Sequence, residues 1–134
     1  MEKFRNALSK LPSWLLTILT TLLILWLTLA PDPLGDDSPT LFPGADKVVH
    51  ALMFGFLTVM LLLDKERRNG WHKLGNRFIW LSAVSSSLFG IVIEFLQLAM
   101  AMGRGFEYTD MVADITGSVI CAYGWSLFQK CWSR

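Results

Sequence analysis

The sequence predicts an all-α integral membrane protein, a four-helix bundle with both termini cytoplasmic. Three observations carry that prediction. Hydrophobic residues make up 53% of the 134 residues and charged ones only 17%, whereas soluble domains carry about 25% charged residues. The apolar residues fall in four long runs, each near the roughly 20 residues that cross a hydrocarbon core of about 30 Å. Of the 12 Lys and Arg, ten lie in segments that four spans would place on one face. The length holds a single domain, 1–134, with no room for a soluble domain beside the spans. A net charge of +1 lacks the basic excess of a nucleic-acid binder. The hydrophobic content and mean hydropathy of +0.45 exclude a disordered chain.

The first span covers 14–30 and holds no charge. It follows a basic start (Lys3, Arg5, Lys10), as a signal peptide would. An apolar signal core is usually about 7–15 residues long and ends at a small-x-small site. This run is longer, and Thr28-Leu29-Ala30 before Pro31 cleaves poorly, so it reads as a retained helix. The connection from Pro31 to Ala45 carries Asp32, Asp36 and Asp37 among four prolines, the composition of an extended, turn-rich loop.

The second span covers 46–63, uncharged from Val48 onward, and the third covers 78–102, with Glu94 as its one charge. Between them, 64–77 carries Lys65, Arg67, Arg68, Lys73 and Arg77. The fourth span covers 111–129 and holds Asp114. The short stretch from Gly103 to Thr109 forces the third and fourth spans to be neighbours. The N-terminus, the 64–77 connection and the C-terminus (Lys130, Arg134) share the basic face, which short-loop charge bias assigns to the cytoplasm. Only Lys47 and Arg104 lie on the other face. Trp14, Trp71, Trp80 and Trp132 fall near span ends, as interfacial belts expect. Ala113, Gly117 and Cys121 form a small-xxx-small stripe on the fourth span, with Gly55 and Gly90 as further close-approach points. Cys121 and Cys131 stand about 15 Å apart along a continuous helix, too far for a disulfide.

The informative residues are those that defy the membrane. A charge at a helix centre costs about 2.5–3.5 kcal/mol and normally faces a partner or a cavity. Glu94 precedes the end of its span by eight residues, about 12 Å. Gln97 follows three residues on, sharing its face. Asp46, Lys47 and His50 open the second span, Asp110 and Asp114 open the fourth, and Arg104 sits in the short connection. These eight residues from three segments converge on the outer half of the membrane. Helix capping by Asp46 and Asp110 competes with a functional reading at those two positions, and interhelical hydrogen bonding competes at His50. Glu94 and Asp114, inside spans, are the functional-site candidates by default.

Asp46-Lys47-x-x-His50 at the opening of a membrane helix resembles the first motif of the VanZ-like membrane proteins. Glu94-x-x-Gln97 followed by Arg104, Asp110, Asp114 and Gly117 resembles their second. The resemblance covers about 46–124. Asp114 stands where that family usually has Asn. The resemblance implies a multi-helix protein of the bacterial envelope, related to a protein associated with teicoplanin resistance, without an established biochemical activity.

The leading expectation is therefore a multi-pass protein of the bacterial inner membrane with an outward-facing polar pocket. It would bind an anionic envelope component, either a lipid-linked precursor or a lipid head group. Lys47 and Arg104 would hold the anion. Asp46, His50, Glu94, Gln97, Asp110 and Asp114 would orient it. The alternatives are an acid/base enzyme using His50 on a phosphate or acyl ester at the outer leaflet, a proton-coupled carrier using Glu94, and a structural subunit of an envelope complex. Four helices are few for a carrier, although a homo-oligomer would supply more. One His with Glu94, Asp110 and Asp114 would suit a divalent cation, but there is no paired-His spacing and no Cys at this face, and Lys47 and Arg104 would repel a cation, so no metal and no cofactor is expected.

Overall fold

The computed structural model describes residues 2–30, 42–100 and 106–132. These form five helices: α1 Glu2–Ser9, α2 Leu15–Leu29, α3 Ala45–Arg68, α4 Asn76–Met100 and α5 Tyr108–Trp132. Among the described residues there is no strand. The expected loop at 31–41 and Arg104 lie outside the described residues.

Three helices (α3, α4 and α5) are long and apolar enough to cross a membrane. The fourth expected span, α2, has only 15 residues. That is about 22 Å of helix, short of a hydrocarbon core of about 30 Å. Its limits have local causes. Ala30 precedes Pro31 and takes extended backbone, φ −67° and ψ 138°, because a following proline disfavours the helical region. At the other end Trp14 sits in the left-handed region at φ 64°, stacked under the Arg68 guanidinium 4.8 Å from its ring centre. Trp71, also left-handed, carries Arg5 in the same way.

The helix α1 was not expected. It has no buried residue of its own, and its C-terminal carbonyls explain its place. Arg67 Nη1 donates to the carbonyls of Leu8 (2.6 Å) and Leu11 (2.9 Å), and Nη2 donates to Pro12 (2.7 Å). Arg67 also pairs with Asp64 at 2.7 Å. The second oxygen of Asp64 accepts from the backbone N–H (2.9 Å) and hydroxyl (2.8 Å) of Thr17 on α2. One buried ion pair thus joins α1, α2 and α3, and it draws α3 onward past the expected end at 63. Arg67 therefore faces inward, although the 64–77 stretch reads in sequence as a solvated basic connection.

The long helices alternate in direction. The start of α3, the end of α4 and the start of α5 meet at one end. At the opposite end Lys65 stands over the Phe78 ring, at 5.4 Å from its centre, and Glu66 meets Gln129. The α3–α5 contact rests on small residues. A Cβ on Gly117 would land on the Ala51 carbonyl oxygen, and one on Gly55 would meet Cys121 Sγ at 2.8 Å. The small-xxx-small stripe therefore packs as expected.

Polarity is distributed inside out. Fully buried positions include Asp64, Glu94, Asp114, Thr58, Ser86 and Ser118. Leu22, Leu52, Phe56, Val84, Leu88 and Ile120 are more than half exposed. In water such a surface would be an aggregation hazard. In a bilayer it is the face that meets the acyl chains, with ionisable groups turned to the bundle interior.

Candidate functional site

The site is built where α3 begins, α4 ends and α5 begins. Helix α3 starts at Gly44, whose left-handed backbone (φ 84°) turns the chain into the helix without a side-chain cap. Asp46 therefore lies in the first turn and is not the cap. Asp110 likewise lies inside the first turn of α5, where a carboxylate is favoured by the helix dipole. One turn further in on each helix come His50 and Asp114.

His50 Nδ1 lies 3.0 Å from Asp114 Oδ1, with the Asp114 side chain 1% exposed. With Asp114 ionised the carboxylate only accepts, so this bond would put the proton on Nδ1 and leave the Nε2 lone pair free. His50 Nε2 faces Asp110 Oδ2 at 3.9 Å. Gly90 on α4 makes this approach feasible: a Cβ there would stand 2.5 Å from Asp114 Oδ2. Glu94, 0% exposed, accepts from the Glu107 backbone N–H at 3.3 Å through Oε2. One ligand atom each of His50, Glu94 and Asp110 lie within 4.8 Å of one another.

Lys47 caps the cluster. Its ammonium is shared by Asp46 (2.8 Å), Glu107 (2.7 Å) and Asp110 (3.3 Å). Glu107 also accepts from the Thr109 hydroxyl at 3.2 Å. The Lys47 hydrogen bond holds the Glu107 carboxyl below its ordinary range. Beneath the cluster the His50 ring stacks on Phe54 at 6.4 Å between centres, and Phe54 tilts against Phe89 at 6.1 Å. Phe54 is fully buried, so this pair forms an apolar floor.

Of the eight residues singled out in the sequence, the structure brings six into this network: Asp46, Lys47, His50, Glu94, Asp110 and Asp114. Gln97 turns the other way, its amide donating to the Thr28 carbonyl at 2.8 Å, where it ties α4 to the end of α2. Arg104 is outside the described residues. Sequence reasoning missed Glu107, which supplies a backbone donor to Glu94 and a carboxylate to Lys47. The signal was present in its place three residues before Asp110, in a connection too short to leave the site.

The family model described as VanZ/LLP1 matches residues 4–129. The chain belongs to that family. Searches of curated proteins and of solved structures return no match. This VanZ-like protein thus has its two sequence motifs in contact. Within the first motif Lys47 and His50 face α5, and within the second Asp110 and Asp114 answer them. The match reaches back to residue 4 and so takes in α1 and α2, which carry neither motif.

Proposed function

We propose that this VanZ-like protein is a multi-pass protein of the bacterial inner membrane that binds the head group of an anionic envelope component at its outer face. The components in view are a lipid-linked precursor and a phospholipid. In this reading α2 to α5 form the four-helix bundle, with the basic end and both termini in the cytoplasm. The observation that carries the reading is the convergence of His50, Glu94, Asp110 and Asp114, from three helices, on one membrane-level cluster above an apolar floor. Intramembrane ionisable groups held this way normally serve a ligand or a pathway. Lys47 and Arg104 supply the positive charge. Lys47 is already shared by three carboxylates, so an incoming phosphate reaches it by displacing one. Glu107, half exposed and on the rim, is the displaceable partner. Binding of nanodiscs containing phosphatidylglycerol or a polyprenyl phosphate tests the proposal. Arg104→Ala and Lys47→Ala should each weaken binding while circular dichroism stays unchanged, and unaltered affinity in both would overturn it.

A second reading is favoured by one observation, the His50–Asp114 pair at 3.0 Å. A buried carboxylate that orients an imidazole is the arrangement of a general base. His50 would then take a proton from a nucleophile attacking a phosphate or acyl ester at the outer leaflet. Mass spectrometry of lipids incubated with the protein should show a product lost in His50→Ala, with binding retained. Unchanged lipids would remove this reading and leave the binding one.

A further inference from the structure

We propose that His50, Glu94 and Asp110 hold a divalent cation of the borderline class, Zn2+ or Mn2+, with Asp114 orienting the histidine. The sequence points away from a metal because no paired histidine spacing is present. The structure assembles the donors from three helices instead, which no local spacing encodes.

The distances suit an ion. Ligands about 2.1 Å from a common cation lie about 3.4 Å apart in tetrahedral geometry. Atoms already within 4.8 Å of one another need to draw in by at most about 1.4 Å, a movement side-chain rotation supplies. His50 Nε2 and Asp110 Oδ2, 3.9 Å apart, need to close by only about half an ångström. The orientation is also right. A metal-binding histidine almost always donates its other ring N–H to a carboxylate, which fixes the tautomer. Asp114 Oδ1 at 3.0 Å from Nδ1 does this.

An independent observation concerns Glu94. Its side chain is 0% exposed, and Oε1 has no hydrogen-bond partner while Oε2 accepts the Glu107 N–H. A buried carboxylate oxygen left without a donor is costly, and its carboxylate supplies one corner of the cluster. The charges point the same way. Among the described residues, Asp46, Glu94, Glu107, Asp110 and Asp114 face one lysine and one histidine. Lys47 occupies Oδ1 of Asp110, and Oδ2 stays turned to the histidine. One imidazole with two carboxylates favours Zn2+ or Mn2+ over an all-oxygen site for calcium or magnesium. Three protein ligands leave a position open for water or for a ligand oxygen. The site goes beyond the head-group reading and does not depend on it.

The experiment uses the full-length protein in lipid nanodiscs, stripped with a chelator and titrated with Zn2+ and with Mn2+ by calorimetry. Metal content is counted after desalting. One equivalent per chain is expected for the wild type. Glu94→Gln, which keeps the side-chain shape, and His50→Ala should each weaken it beyond the roughly 10–100-fold that orienting residues give. Asp114→Ala should fall within that range. His72→Ala, at the other end of the molecule, should bind as the wild type does. Absence of a stoichiometric ion in the wild type, or equal binding in Glu94→Gln and the wild type, would overturn the proposal. Lipid binding is not read here, so failure of this site leaves the head-group reading standing.

Discussion

Gly90→Ala probes the contact that lets Asp114 reach His50. An added Cβ would stand 2.5 Å from Asp114 Oδ2, 2.9 Å from its Cβ and 3.0 Å from its Cγ. The first two distances are shorter than real side chains tolerate, and Asp114 is rooted in the α5 backbone. Either α4 and α5 move apart or the carboxylate swings off His50. Overpacking of this kind typically costs about 1–3 kcal/mol. Losing a hydrogen bond to a charged group costs about 1.5–3 kcal/mol. Ala gains about 0.8–1 kcal/mol of helix propensity over Gly, which offsets part of either loss. The net expectation is destabilisation by about 0.5–2 kcal/mol. The assay is equilibrium unfolding in mixed micelles, run as a double-mutant cycle with Asp114→Gly. That second change removes all three clashing atoms, so Gly90→Ala should become neutral or slightly stabilising on that background. Equal destabilisation on both backgrounds, or a stabilising Gly90→Ala in the wild type, would refute the steric argument.

Other outcomes follow from the same geometry. Arg67→Ala leaves Asp64 buried and unpaired and should cost about 3–5 kcal/mol, with new proteolytic cleavage near 8–13 as α1 loses its anchor. Gly117→Ala should destabilise more than Gly90→Ala because its Cβ meets the Ala51 backbone, whereas Gly124→Ala, with open space around it, should be neutral or stabilising in the same unfolding assay. Glu107 has its carboxyl held low by Lys47, so its contribution to stability is present above the ordinary carboxyl range and disappears as pH falls through the lowered value. The stability difference between wild type and Glu107→Gln should therefore shrink on acidification below about pH 4.

The long helices were legible because each is a long, nearly uncharged apolar run, and the burial of Glu94 and Asp114 was legible from their place inside those runs. The partners were not legible. His50 meets Asp114 across 64 positions and Lys47 meets Glu107 across 60, pairings that arise from helix packing and leave no local pattern. Helix α1 was missed for the same reason, since its anchor is Arg67, 59 positions beyond Leu8. That arginine was counted toward the basic face, but charge counting cannot distinguish a solvated cation from one bonded inward. Gln97 shares a helix face with Glu94 as expected, yet its amide is engaged by α2, because a single turn of helix separates two different neighbours.

The aromatic floor under His50 has a consequence for proton traffic. From His50 the next acid or base along α3 is Asp64, fourteen residues on, or roughly 21 Å. Between them α3 offers Phe54 and aliphatic side chains, and its one hydroxyl, Thr58, is bonded to its own helix. The facing stretches of α4 and α5 carry hydroxyls, thiols and amides but no carboxylate or imidazole. Among the described residues no carboxylate or imidazole therefore links His50 to the Asp64–Arg67 pair, and the two ionisable clusters stand apart at opposite ends of the bundle.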